Sequence, residues 1–446
     1  MASVDLGRYR RIVQMFWDPE PANDCQTDIP VWCLGRSYTL NTKTNKAKRD
    51  RCQTPPSDTT KAQSPVAEIS SVPPAQSPET PPDSVASSFS SSLAYDDDYS
   101  TQDGGWPSAF LDDFESKFWI TYRSEFDPIA RATDPRASSA LSLSMRIKSQ
   151  LVDSSGFSSD SGWGCMIRSG QMLLANAMGT TELGRDWRRG ESPQQERKLL
   201  SLFADDRKAP YSIHQFVQHG ADACGKYPGE WFGPSATARC IQALVNAGEH
   251  SLRVYSTGDG PDVYEDKFME IAKPDGSHFH PTLVLVSTRL GIDKITPVYW
   301  EALIAALQMP QSVGIAGGRP SSSHYFVGTQ GSYLFYLDPH HTRPALPFHE
   351  NTSKYTDTDV DTVHTRRLRR LHVREMDPSM LIGFLIKDED DWAEWRRNVK
   401  HVQGKAVIHV ADHDPVSAGR SGERDNAIDE VETLSDDDAD TILLDV

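Results

Sequence analysis

Apolar positions follow two different rhythms along this chain. After Cys165 they form two interleaved stripes at helical spacing, Met166, Gly170, Leu173 and Ala177 on one and Ile167, Leu174 and Met178 on the other. Two adjacent stripes predict a helix buried on most of its sides, with Gly179 as its stop. Upstream, Phe118, Trp119 and Tyr122 also fall at helical spacing and predict a helix over residues 114–126. Downstream the rhythm shortens. The apolar run over 282–287 predicts a buried strand. Thr296-Pro297 opens a helix carrying Trp300, Leu303, Ile304 and Leu307 on one face. Further strands are predicted at 312–316, 324–328, 333–337 and 382–386, and a helix with an acidic start and a basic end at 389–402. Helices first, then a set of antiparallel strands, predict an α+β fold. The chain contains no internal repeat.

Composition divides the 446 residues into a body with appendages. Residues 41–105 are dominated by Pro, Ser, Thr and Asp, and cannot bury enough apolar surface to offset their ordering entropy. They are expected to be a disordered insertion. Its basic start, Lys46-Ala-Lys48-Arg49-Asp-Arg51, reads as a solvated linker or a localisation signal. Residues 1–40 form an N-terminal segment whose Pro30-Val31-Trp32-Cys33-Leu34-Gly35 piece is expected to dock on the body at 106–405. Residues 406–446 hold twelve acidic and two basic side chains, and are expected to be an acidic disordered tail. This tail carries much of the formal net charge of −17. The remainder has no basic face for nucleic acid.

No run of about 18 apolar residues crosses a membrane. Met1-Ala2-Ser3-Val4-Asp5 has neither a signal peptide's basic and apolar regions nor the glycine that myristoylation needs. The six cysteines include no Cys-x-x-Cys pair, which argues against a disulfide framework or structural zinc and for a reducing cytoplasmic setting. Cys224 and Cys240 read as two buried thiols, with a regulatory disulfide as the alternative.

The chemistry concentrates in Asp160-Ser-Gly-Trp-Gly-Cys165-Met-Ile-Arg168. A small-residue turn presents Cys165 at a helix N-terminus. There the helix dipole and unpaired backbone N–H groups favour the thiolate and can receive an oxyanion. Such a nucleophile needs a histidine held by a third group. His214 and His219 sit on a predicted helix and read as packing or surface residues. His250, His278, His280, His364, His372, His401, His409 and His413 lie in polar stretches without a carboxylate at a structured spacing. Two arrangements remain. In one, Asp338-Pro339-His340 closes a strand and places Asp338 and His340 on the same side. In the other, His324 is the base and Asp338, 14 residues on, its orienter. Spacing alone does not separate them, and the same residues also fit a plain polar turn. His341, at i+3, points away. A metal site at His340, His341 and His349 lacks a second cluster to complete it.

These stretches resemble the autophagins, the autophagy-related cysteine proteases that process the ubiquitin-like protein conjugated to phosphatidylethanolamine. The likeness rests on Ser161-Gly-Trp-Gly-Cys-Met-Ile-Arg168, Asp338-Pro339-His340 and Trp32-Cys-Leu-Gly-Arg36, and on Phe118-Trp-Ile-Thr-Tyr-Arg123, Gly184-Arg-Asp-Trp187 and Tyr211-Ser-Ile-His-Gln215. Trp231-Phe-Gly-Pro234 and Met309-Pro-Gln-Ser-Val-Gly-Ile-Ala-Gly-Gly318 add to it, all in the right order. It covers roughly residues 30–38 and 114–402. It implies a papain-like cysteine protease fold with a small additional α/β subdomain. It also implies Cys165, Asp338 and His340 as the catalytic residues, leaving His324 as a strand residue. Tyr122 is implied at the oxyanion site, Trp231 over the cysteine, and Gly318-Arg319-Pro320-Ser321 as a mobile loop closing the groove. From their residue types alone, Tyr122 and Trp231 fit core packing and the loop fits a simple connection.

The activity so implied is a thiol endopeptidase. It cuts a ubiquitin-like autophagy protein after a C-terminal glycine and releases it from phosphatidylethanolamine. Neither a metal nor a cofactor is required. Contact with autophagic membranes is peripheral, the chain is a monomer, and it is cytoplasmic, recruited to sites of autophagosome formation, with a nuclear pool as a further option. A non-catalytic module gripping the same partner is the alternative, and an acyltransferase on the same scaffold a third reading. Tyr9-Arg-Arg-Ile12 fits an aromatic-x-x-aliphatic docking motif that adds a strand to a partner's sheet. The end of the tail has Ile442, Leu443 and Leu444 but no aromatic anchor.

Overall fold

A helix that is apolar on nearly every side must be enclosed, and the architecture follows from that enclosure. The structure, a computed structural model, describes residues 20–23, 29–39, 103–142, 145–146, 156–248, 250–319 and 322–415. The Tyr9–Ile12 motif, residues 41–102 of the insertion and residues 416–446 of the tail lie outside these.

The chain begins with the hairpin β1 (Val31–Cys33) and β2 (Arg36–Tyr38), followed by α1 (Ser108–Glu115), β3 (Arg123–Ala130) and β4 (Gly156–Ser159). The central helix α2 (Cys165–Glu182) precedes α3 (Pro193–Ser201), α4 (Ile213–Ala223) and α5 (Pro234–Asn246). Then come β5 (Arg253–Ser256), β6 (Asp262–Tyr264), α6 (Glu265–Ala272) and β7 (Thr282–Arg289). The helix α7 (Trp300–Gln308) leads into β8 (Ser312–Gly317), β9 (His324–Gln330), β10 (Tyr333–Leu337) and β11 (Arg343–Pro344). The chain closes with α8 (Asp357–Asp361), β12 (Arg370–His372), β13 (Ser379–Ile386), α9 (Glu389–Lys400) and β14 (His409–Ala411).

The main sheet runs β12-β10-β9-β8-β13-β7-β5, with β1 added to β9 and β2 to β1. Its pairs are antiparallel except β5 with β7. The fold is α+β. Alternate residues of one strand serve opposite faces. Leu283 and Leu285 of β7 join the core around α2, α4 and α5, while Val284 and Val286 join the core around α6, α7 and α9. The sheet is therefore a middle layer, which is why β7, β8 and β13 read as apolar runs. The N-terminal hairpin pairs with β9, with Trp32 opposite Thr329 and Cys33 opposite Gly328. Among the described residues no helix is long and apolar enough to cross a membrane.

Three expectations need correction. The helix predicted over 114–126 ends at Glu115. Beyond it the backbone is claimed by distant segments: Phe118 N–H donates to Asn176 Oδ1 (3.0 Å), Trp119 N–H to Val363 O (2.8 Å) and Tyr122 N–H to Pro339 O (2.8 Å). Tertiary hydrogen bonds thus replace helical ones, and the aromatic spacing reflects burial on a packed extended segment. Gly179 does not stop α2, which continues to Glu182. A Cβ there would stand 3.2 Å from the Phe118 ring, so the glycine serves packing. The body also outruns its expected limits. Asn23 N–H donates to Gly104 O (2.8 Å), and Val407 and Ile408 are buried ahead of β14, which pairs with β6.

Where α2 crosses α5, a Cβ on Gly170 would lie 2.4 Å from Thr237 Cγ2 and 3.4 Å from Ile241 Cδ1. Gly170→Ala gains about 1 kcal/mol of helix propensity, but overpacking a dense core costs about 1–3 kcal/mol. With a short branched side chain as the obstacle, the clash wins. The urea midpoint should fall for Gly170→Ala, and a rise would show that α2 and α5 have room to part.

Candidate active site

The turn before α2 is shaped by one carboxylate. Gly164, the N-cap of α2, can carry no side chain, because a Cβ would meet Asp160 Oδ2 at 2.6 Å. Gly164 N–H donates to Asp160 O (2.8 Å). The turn needs a positive φ at Gly162, +96°. Cys165 follows as the first residue of α2, fully buried at the positive end of the helix dipole. Burial raises its thiol pKa, but the hydrogen bond and charge of His340, the Ser323 backbone N–H and the Tyr122 hydroxyl outweigh it and lower the pKa.

His340 arrives from the end of β10. Its Nδ1 is 2.6 Å from Asp338 Oδ1, and its own N–H donates to the same oxygen at 3.0 Å. A carboxylate only accepts, so Nδ1 carries the proton and Nε2 is left for Cys165. Nε2 is buried and makes no well-formed hydrogen bond among the described residues; its electrostatic partner is Cys165. Burial alone would lower the His340 pKa; the bonds to Asp338 and Cys165 reverse this and raise it to about 10. Asp338 resists the upward push of burial through His340 and His324, and its pKa lies well below the usual range. Trp119 Nε1–H holds the Asp338 carbonyl at 2.7 Å.

Both candidate histidines face the same carboxylate. Leu337 pairs with Tyr325 across β10 and β9, so the next residues, Asp338 and His324, are brought side by side. His324 Nε2 is 3.9 Å from Asp338 Oδ1, against 2.6 Å for His340. Burial, with His340 and Arg369 nearby, depresses the His324 pKa to about 4 despite Asp338. It is neutral where His340 is charged. His341 turns away and stacks on Trp119, and His349 packs against Tyr355. The expected alternative metal set of His340, His341 and His349 is therefore not assembled. His324, Asp338 and His340 do bring ligand atoms within 4.8 Å of one another, but Asp338 Oδ1 and His340 Nδ1 are spent on each other.

Tyr122 stands edge-on to the His340 ring, with centroids 5.4 Å apart. Its hydroxyl is buried and directed to Cys165. Burial, then the charges of Cys165 and Asp160, keep its pKa well above the ordinary value, so it remains a donor. Trp231 is half-buried just before α5 and packs against the α2-side core. Of the closing loop, Gly318 and Arg319 are described, whereas Pro320 and Ser321 lie outside the described residues. Gly318 N–H donates to Ser379 O (3.1 Å), and Arg319 Nε–H donates to Asp377 Oδ1 (2.6 Å).

Sequence reading missed the charges beneath the site. Asp160, Arg168, Asp205 and Arg123 are all buried. Arg168 Nε is 2.6 Å from Asp160 Oδ2 and its Nη2 is 2.8 Å from Asp205 Oδ1. The signal was present: an arginine inside an apolar helix needs buried carboxylates. His364 also differs from expectation, since it is buried with Nε2 3.1 Å from Glu196 Oε1, a partner remote in sequence. His214 bonds Asp127 O through Nε2 (2.7 Å), a packing role. Cys224 and Cys240 are buried and are not joined by a disulfide.

A family model for the peptidase C54 catalytic domain matches residues 107–398. The chain is 68% identical to a cysteine protease ATG4 of Gibberella zeae, covering 99% of this chain and 98% of that one. It is 65% identical to a probable cysteine protease atg4 of Botryotinia fuckeliana (99% and 100%), and 62% identical to a cysteine protease ATG4 of Pyricularia oryzae (99% and 98%). A buried cysteine at a helix start, paired with a histidine on a carboxylate, is the equipment such enzymes require, and the chain belongs to the peptidase C54 family of thiol proteases.

Proposed function

We propose that this protease cuts a ubiquitin-like autophagy protein after a C-terminal glycine, and releases the same protein from phosphatidylethanolamine, with Cys165 as nucleophile, His340 as acid and base, and Asp338 as its orienter. The observation that carries this reading is a fully buried thiol at the first residue of α2, beside a histidine whose other nitrogen is committed to a carboxylate at 2.6 Å. The substrate class comes from the family and from the names of the relatives. Both substrates present the same bond type, a glycyl carbonyl joined to a nitrogen, so one site serves both.

The Cys165 thiolate adds to the glycyl carbonyl. Backbone N–H groups at the start of α2 and the Tyr122 hydroxyl receive the negative oxygen. His340 passes its Nε2 proton to the leaving nitrogen, the C–N bond breaks and a thioester remains. His340, now neutral, takes a proton from water. The hydroxide adds to the thioester, and collapse restores the thiolate and the imidazolium. Asp338 keeps the Nδ1 proton in place throughout. The family resemblance supports Trp231 and the segment that begins at Gly318 as the elements that restrict entry to glycine, because a Cβ would clash. In this reading the enzyme acts as a cytoplasmic monomer that meets membranes through its substrate, and residues 41–102 and 416–446 are appendages to the chemistry.

Incubation with a C-terminally extended ubiquitin-like autophagy substrate, followed by mass spectrometry, should give a product ending in glycine. A different terminal residue would overturn the specificity. Cys165→Ala should lose about 10³-fold or more of the cleavage rate while still binding substrate. His340→Ala should lose far more activity than His324→Ala. The reverse order would make His324 the base.

The pH dependence follows from the pair. The reactive form is thiolate with imidazolium, so kcat/KM rises as pH climbs through the lowered Cys165 pKa and falls as His340 loses its proton at about 10. Asp338→Asn removes a bond that favours the charged ring, so the alkaline limb should move to lower pH. A limb that stays in place in the kcat/KM profile would assign it to another group.

A further inference from the structure

We propose that Asp160 is a positioning residue for the reaction, which holds the Tyr122 hydroxyl and the Cys165 thiol in register by bonding to the immediate neighbour of each. The inference rests on the roles proposed above for Cys165 and Tyr122.

Four bonds from this one residue make the link. On the Tyr122 side, Asp160 Oδ1 accepts from Arg123 N–H at 2.6 Å, and Asp160 N–H donates to Arg123 O at 3.2 Å. On the Cys165 side, Asp160 O accepts from Gly164 N–H at 2.8 Å, and Asp160 Oδ2 accepts from Arg168 Nε–H at 2.6 Å, one turn into α2. Arg123 is covalently next to Tyr122, and Gly164 is next to Cys165. The segment bearing the oxyanion donor and the helix bearing the nucleophile thus share one fully buried anchor.

The remaining contacts fix the anchor itself. Arg168 Nη1–H donates to Gln171 Oε1 (3.0 Å), and its Nη2 pairs with Asp205 Oδ1. Asp205 Oδ2 accepts from Leu346 N–H (2.9 Å), and Arg123 Nη1–H reaches Pro344 O (3.0 Å). Charges buried this deeply cost much of what they return, so stability alone is a poor reason for them. Fixed geometry is a better one, because donors must be aimed before charge develops.

The test is a double-mutant cycle on the full chain with Asp160→Asn and Tyr122→Phe, read as kcat and KM on the peptide amide that the unmodified enzyme cleaves. Failure of the autophagy-substrate assignment therefore leaves the cycle readable. Asparagine can keep the bond to Arg123 N–H but turns a donor or a weaker acceptor toward Arg168. Asp160→Asn should lower kcat about ten- to a hundred-fold with KM little changed. Tyr122→Phe should then cost far less in the Asp160→Asn background than alone, because its hydroxyl is already misplaced. Additive losses or a raised KM with normal kcat would each overturn the proposal. If Asp160→Asn does not fold, Arg168→Lys takes its place in the cycle, since it keeps the charge and loses the fork; the same non-additivity is expected, and additivity overturns the proposal.

Discussion

Everything in this protein turns on a helix that is buried from Cys165 to Gly179 while carrying polar side chains. Each must find its partner in the protein, since water does not reach it. Arg168 takes Asp160 and Asp205, Gln171 donates to the Tyr211 carbonyl, and Asn176 bonds both the N–H and the carbonyl of Phe118. These partners sit on separate loops, so satisfying the helix gathers the loops around it. The stretch carrying Phe118 and Tyr122 is pulled across the start of α2. The Asp160 turn is locked under Gly164.

The second half of the site is delivered by the sheet. Antiparallel β9 and β10 end together, with a register irregularity between Phe335 and Tyr336, and the Asp338-Pro339-His340 turn follows. Tyr122 N–H on Pro339 O and Trp119 Nε1–H on Asp338 O tie this turn to the segment already held by α2. Helix and sheet therefore meet through the aromatic segment, and a cysteine and a histidine 175 positions apart come within electrostatic reach of each other. The low dielectric of this enclosed place is what gives this proximity its consequence. A buried thiol should be a poor acid, yet His340, Ser323 N–H and Tyr122 all favour the thiolate.

Much of this was legible. The stripes after Cys165 gave the buried helix, because hydrophobic period reports enclosure directly. The apolar runs gave β7, β8 and β13, because strands covered on both faces lose alternation. Of the residues that the family resemblance implied, Asp338 and His340 stand 2.6 Å apart in the fold. The aromatic run over 114–126 misled because spacing records which residues are buried, and not which backbone groups they bond. The choice between His324 and His340 was likewise beyond spacing. One reaches Asp338 across a strand pair and the other along the chain, and only the distances of 3.9 and 2.6 Å separate them.

By itself the sequence determined what local physics encodes: where helices and strands form, which stretches lack the apolar residues for a core, and which cysteine sits at the start of a helix. The tertiary structure alone decided what depends on partners far apart in the chain. It set the pairing of Arg168 with Asp205, the burial of His364 against Glu196, and the closer approach of His340 than of His324 to Asp338. Such facts arise from electrostatics over a few ångströms, a range at which separation in space counts and separation in sequence does not.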